Sequence, residues 1–139
     1  MGHDTTKVLM GSTRSTFKVV TSKPGTILAG KIVRLKSDDT ISIAAADGGV
    51  LGISLGGSLS DTTQTAICER GTYVPILLTS AFTPVIGAQV CIDDTTGLAK
   101  ASGAGVTGMN ATYQTAVISG IQEDGTSANV ALIHMPGGL

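Results

Sequence analysis

Apolar and polar side chains alternate with a period of two along most of this chain. Phe17 and Val19, Ile41, Ile43 and Ala45, Leu51, Ile53 and Leu55, Val74, Ile76 and Leu78, Val90 and Ile92, and Val130 and Leu132 each form such a series. Successive side chains of an extended chain point to opposite faces, so each series predicts a half-buried strand with its apolar face on a core. Between the series stand clusters of turn-forming residues: "KPG", "KSDD", "ADGG", "GGSLSDTT", "ERG", "DDTTG", "SGAG" and "EDGTS". Their close spacing suits a sandwich or barrel rather than strands alternating with helices. The best helix candidate, "NATYQTAVI" at 110–118, is short and rich in Thr and Val, and predicts one or two helical turns at most. The expectation is an all-β protein, a small β-barrel or β-sandwich formed as a single domain by residues 17–139. Residues 1–16 show no sustained alternation and are expected to be a flexible N-terminal arm.

Two stretches look like one hairpin made twice. "AGKIVRLKSDDTISIAAADGG" (29–49) can be laid on "IGAQVCIDDTTGLAKASGAG" (86–105): each has a Gly, a Val three residues later, alternating apolar residues, Asp-Asp-Thr, and a small-residue strand leading to Gly. A turn is copied together with its flanks, whereas a catalytic carboxylate pair has no reason to be. Asp side chains bond nearby backbone N–H groups in turns, and Gly97 supplies a positive φ where one is needed. Asp93 and Asp94 are therefore read as turn residues. A calcium loop needs more oxygen ligands at fixed spacing than "DDTTG" provides.

Composition adds a second theme. The chain has 139 residues, enough for one domain that buries roughly two thirds of its unfolded surface. Only 14% of residues are charged and 3% aromatic, Trp is absent, Gly numbers 19, and mean hydropathy is +0.34. The longest apolar run, "VPILL" at 74–78, is far shorter than the ~18 residues a membrane span needs, and "MGHDTTKVLM" lacks a signal-peptide core. A soluble, unsecreted protein without a membrane partner is expected. An apolar, charge-poor chain of this kind fits a component whose outer surface is covered by other subunits. Charge is also unevenly placed. Residues 1–36 hold seven cations (Lys7, Arg14, Lys18, Lys23, Lys31, Arg34, Lys36) and Asp4 alone, a net of +6. Residues 37–139 hold Arg70 and Lys100 against nine acids, a net of −7. A basic front on an acidic body suggests docking onto an acidic neighbour. Phe17 is the only aromatic ring near these cations and no recognition motif accompanies them, so nucleic acid is not an expected partner. The residues expected to contact a shell or a neighbouring subunit are Lys7, Val8, Leu9, Met10, Arg14, Phe17 and Lys18.

Candidate chemistry is sparse. Gly103, Gly105 and Gly108 match G-x-G-x-x-G, but a polar strand precedes them and no long helix follows, so a loop is expected rather than a dinucleotide site. Cys68 and Cys91 lie in alternating strand patterns and read as reduced core residues without a neighbouring His. His3 and His134 are isolated, and "NAT" at 110–112 is a glycosylation sequon by letters alone. The pattern indicates neither an enzyme nor a metal or other cofactor.

The order of features "AGKIVRL…GGVLGISLGG…AICERGTYVPILL…IGAQVCIDDTTGLAKA…AVISGIQEDGTSANVALI" resembles the small capsid decoration, or cement, proteins of tailed bacteriophages. The similarity is to the Gly-rich family of unknown function found beside major capsid genes, and it covers about residues 17–134. The residues that carry it are Gly52, Ile53 and Ser54; Gly71 to Pro75; Gly87, Val90, Ile92 and Asp93; and Ile118 to Ile121. The resemblance implies a β-barrel or sandwich without catalytic residues, located on the capsid exterior of the virion after synthesis in the host cytoplasm. It would bind the major capsid protein and its own copies, with a trimer favoured, and stabilise the icosahedral head. The alternatives are another virion subunit (shell, tail tube or fibre base), or a small β-barrel enzyme or carbohydrate-binding module. The last lacks the aromatic platforms sugars usually stack on, since only Phe17, Tyr73, Phe82 and Tyr113 are present.

Overall fold

A computed structural model describes residues 13–18 (backbone only), 27–37, 41–43, 48–56 and 64–136. These residues contain ten strands and no helix: β1 (Thr13–Lys18), β2 (Ile32–Leu35), β3 (Ile41–Ser42), β4 (Gly49–Gly56), β5 (Gln64–Leu78), β6 (Gln89–Asp93), β7 (Ala99–Lys100), β8 (Val106–Tyr113), β9 (Ile118–Ile121) and β10 (Ser127–Met135). The ten strands form one hydrogen-bonded sheet. Strand β5 is long enough to serve two parts of it. Its first half pairs with β4 on one side and β1 on the other, and β4 continues to β2 and β3. Its second half pairs antiparallel with β10 and, at Leu78 with Ala99, parallel with β7. The circuit β5–β7–β6–β8–β10 returns to β5, which closes a barrel and removes free edges over those strands.

The all-β expectation holds, and most of the alternation places the core. Val74, Ile76 and Leu78 from β5, Val90 and Ile92 from β6, and Met109, Ala111 and Tyr113 from β8 fill the barrel, with Ile32 and Ile53 closing it from β2 and β4. A second cluster of Ile27, Val33, Ile41 and Ile67 lies on the opposite face of the β2–β4–β5 sheet, so Ile32 and Val33 are both fully buried. The β2–β4 register shifts between Val33 and Arg34. This shift explains why Ile53 belongs to the barrel and Leu51, two residues away, packs on the second cluster.

Three expectations are corrected. The segment 110–118 is not helical: it completes β8 and begins β9, because Met109, Ala111 and Tyr113 already set a period of two against the barrel interior. In β10 the inward residues are Ala131, Ile133 and Met135, not Val130 and Leu132, which are only half-buried on the outer face. The small Ala131 made the opposite parity look more apolar. Residues 13–16, placed in the arm by sequence, run in β1 opposite Arg70 to Ala66 of β5, and residues 1–12 lie outside the described residues.

Candidate functional site

The Asp-Asp-Thr segment at 93–95 does turn the chain, joining β6 to β7 with Cys91 opposite Lys100. Asp93 Oδ1 accepts from Thr95 N–H (2.9 Å), Thr95 Oγ1 (2.8 Å) and Thr96 N–H (3.0 Å). Its other oxygen receives Lys100 Nζ at 3.2 Å. The bonds from Thr95, then that from Thr96 and the ammonium of Lys100, hold this carboxyl well below the usual carboxylate range. Gly97 takes φ +71, and a Cβ there would lie 3.1 Å from Ile43 and 3.2 Å from Ile32. Its carbonyl accepts Ile32 N–H at 2.9 Å, so this turn is seated on β2.

Asp94 lies in the turn as expected, and its side chain also reaches out of it. Its Oδ1 accepts Thr107 Oγ1 at 2.6 Å and lies 3.8 Å from Arg34 Nη2. The Arg34 side chain is only 3% exposed, and its Nε and Nη2 have no hydrogen-bond partner. Burial lowers its pKa and the Asp94 charge opposes that shift. The two similar hairpins therefore meet through a buried guanidinium. Strand β3 pairs with β2 as the repeat predicts, whereas Asp38, Asp39 and Thr40 lie outside the described residues.

The remaining candidates are dispersed. Cys68 and Cys91 are buried and not joined in a disulfide, as the strand pattern predicts. Gly103 and Gly105 are in a loop whose Gly105 carbonyl accepts Asp94 N–H, and Gly108 lies within β8. His134 Nδ1 is 3.2 Å from Thr72 Oγ1. No group of three or more His, Cys, Asp and Glu side chains comes together among the described residues. Two adjoining clefts, of about 370 and 550 Å³, share Leu77 and Gln122 in their walls. Apolar residues such as Leu55, Leu77 and Val130 line the first, and among the described residues Glu123 is the one titratable group on either wall.

Of the residues expected to bind a shell or subunit, Arg14, Phe17 and Lys18 lie on β1, opposite Cys68, Thr65 and Gln64. Strand β1 pairs only with β5, so among the described residues it is an outer edge carrying basic positions. Lys7, Val8, Leu9 and Met10 lie outside the described residues.

Sequence alternation missed the exposed apolar residues. Tyr73, Val85, Ile86, Val117, Ile118 and Ile121 are all at the surface. Tyr73 is also the only non-glycine residue at positive φ (55°) among the described residues. Ile133 pairs with Val74 but Met135 with Gly71, so Thr72 and Tyr73 together face His134 in a bulge. Gln114 Oε1 accepts Tyr73 N–H at 2.7 Å and holds the bulge from across β10. Its aromatic ring, on a backbone conformation that suits glycine, is 59% exposed. Comparison with protein-family models and with curated proteins found no match.

Proposed function

We propose that the protein is a non-enzymatic decoration, or cement, protein of a tailed-phage capsid. In this reading it binds the major capsid protein on the outside of the icosahedral head, as a homotrimer, and stabilises the assembled shell. The observation that carries the reading is a closed barrel whose surface displays Tyr73, Val85, Ile86, Val117, Ile118 and Ile121, in a chain of which only 14% is charged. Surface of that kind favours cover by neighbouring subunits. The resemblance over residues 17–134 supplies the kind of neighbour.

The mechanism is linkage. A ligand that binds the assembled shell and not its separated subunits raises the stability of the shell, and symmetric copies add through avidity. The basic positions of β1 and the segment before it would speed encounter and set register, while apolar side chains carry more of the affinity. The test is co-sedimentation of the protein with purified undecorated heads, followed by heating. Decoration predicts saturable binding and a higher disruption temperature of the decorated heads. Absence of binding, or binding without stabilisation, contradicts it. A tail-tube or shell subunit would instead assemble by itself into tubes or closed shells.

A further inference from the structure

Strand β9 is the last strand of the sheet, paired with β10 on one side and open on the other among the described residues. None of its residues is buried. Ile118 and Ile121 are 43% and 75% exposed, and Val117 just before them is 40% exposed. Since 118 and 121 point to opposite faces, β9 presents an exposed isoleucine on each side of the sheet. Natural edges are usually blunted by Lys, Pro or a bulge. This one has none of these: residues 101–122 contain no Asp, Glu, Lys, Arg or Pro, and the β9–β10 pairing runs from Ile118/Val130 to Ile121/Ser127 without a register shift.

The hairpin fixes which backbone groups face outward. Gln122 N–H donates to Thr126 O at 2.7 Å. Hydrogen-bonded pairs then alternate back through Gly120/Ala128 and Ile118/Val130. This leaves the N–H and C=O of Ser119 and Ile121, and by continuation Val117, turned to the open edge. We propose that a second copy of this chain adds there, β9 antiparallel to β9, about a twofold axis at Ser119. The outward groups lie on odd-numbered residues, so only registers that match odd with odd form hydrogen bonds. Among these, the register centred on Ser119 pairs the whole of 117–121. It sets Val117 opposite Ile121 of the second copy, a β-branched pair of the kind that stabilises sheets, and Ile118 opposite Gly120, which leaves it room. Glu123 falls opposite Thr115, so no like charges meet across the axis. This self-complementarity of register, apolar pairs and charge selects a second copy over an unrelated strand. The contact does not depend on the decoration reading: it joins two single chains or two trimers, and is present or absent in the purified protein without a shell.

The test is site-directed cross-linking of the full chain. Facing Cα atoms of a hydrogen-bonded antiparallel pair are about 5.5 Å apart. Ser119→Cys treated with a short bis-maleimide is therefore expected to give a covalent dimer. The native protein, whose two cysteines are buried, and Ser127→Cys on the neighbouring strand are expected to remain uncross-linked. Adding Ile121→Lys to Ser119→Cys should abolish the product, and Ile121→Lys alone should halve the mass seen by light scattering. A Ser119→Cys protein that a mono-maleimide labels but the bis-reagent does not join overturns the proposal. So does cross-linking of Ser127→Cys to the same extent, or an unchanged mass for Ile121→Lys.

Discussion

Asp94 Oδ1 lies 3.8 Å from Arg34 Nη2, and this contact joins the turn of one Asp-Asp-Thr hairpin to a strand of the other. Because the guanidinium is almost wholly buried and two of its nitrogens make no hydrogen bond, the charge of the carboxylate matters more than a turn residue's would. Asp94→Asn leaves the buried guanidinium without its counter-charge, whereas Arg34→Met removes the buried charge and leaves a carboxylate that is one-third exposed and bonded to Thr107. Asp94→Asn is expected to destabilise the fold by about 1–3 kcal/mol, the carboxylate being one-third exposed. Arg34→Met should cost less than about 1 kcal/mol or raise stability. Chemical denaturation of the two variants measures both. An Asp94→Asn protein as stable as the native one would return Asp94 to the role of a simple turn residue.

Asp93 acts locally and through its charge. Its folded-state pKa is depressed by the Thr95 and Thr96 bonds and Lys100, so the stabilisation is present above its unfolded value and lost as pH falls through the folded one. At neutral pH Asp93→Ala should cost about 1–2 kcal/mol. In urea titrations the gap between native and variant protein should narrow steadily below about pH 4. A gap independent of pH down to pH 2 would show that the carboxylate charge contributes nothing.

Gly52 sits where β4 passes β5, and a Cβ there would lie 2.3 Å from the carbonyl oxygen of Cys68. The obstacle is backbone inside the sheet, which cannot turn aside. Gly52→Ala is expected to cost about 2–4 kcal/mol, while Gly49→Ala, with nothing within 4 Å, stays within about 0.5 kcal/mol. Melting temperatures of the pair provide the comparison, and equal values would refute the close approach.

Tyr73 offers a different contrast. Its left-handed conformation costs about 1–2 kcal/mol that glycine avoids, partly offset by the greater unfolded-state entropy of glycine. Tyr73→Gly should therefore remain within about 1 kcal/mol of the native protein despite loss of the ring, whereas β-branched Tyr73→Val should lose about 2 kcal/mol or more. If the ring is instead an anchor for a neighbouring subunit, Tyr73→Gly will keep its fold and bind heads more weakly.

The basic edge should be visible in salt dependence. Lys7→Glu with Arg14→Glu is expected to weaken binding to heads at low ionic strength, with the difference shrinking as salt rises. Removal of residues 1–12, which takes away Val8, Leu9 and Met10 as well, should weaken binding at every salt concentration. Unchanged head occupancy after that deletion would leave these residues without a part in docking.

Much of the architecture was legible because a strand buried on one face writes its register into the sequence. The series Val74, Ile76 and Leu78 and the pair Val90 and Ile92 point inward as their spacing requires. Legibility failed where both parities carry apolar residues. In β10, Val130 and Leu132 compete with Ala131 and Ile133, and only the neighbouring strands decide between them. The Arg34–Asp94 contact was hidden because its partners are sixty residues apart in sequence and meet only once both hairpins have folded. The bulge at Tyr73 leaves no mark in a pattern of hydrophobicity, since its signal is a backbone angle that sequence suggests only when glycine occupies the position.

The most direct test of the decoration reading is electron cryomicroscopy of phage heads prepared with and without this protein. Decoration predicts identical shells in both, with additional barrel-sized density on the outer surface, clustered in threes, only when the protein is present. Density within the shell wall or along the tail, or particles indistinguishable in the two preparations, would contradict it.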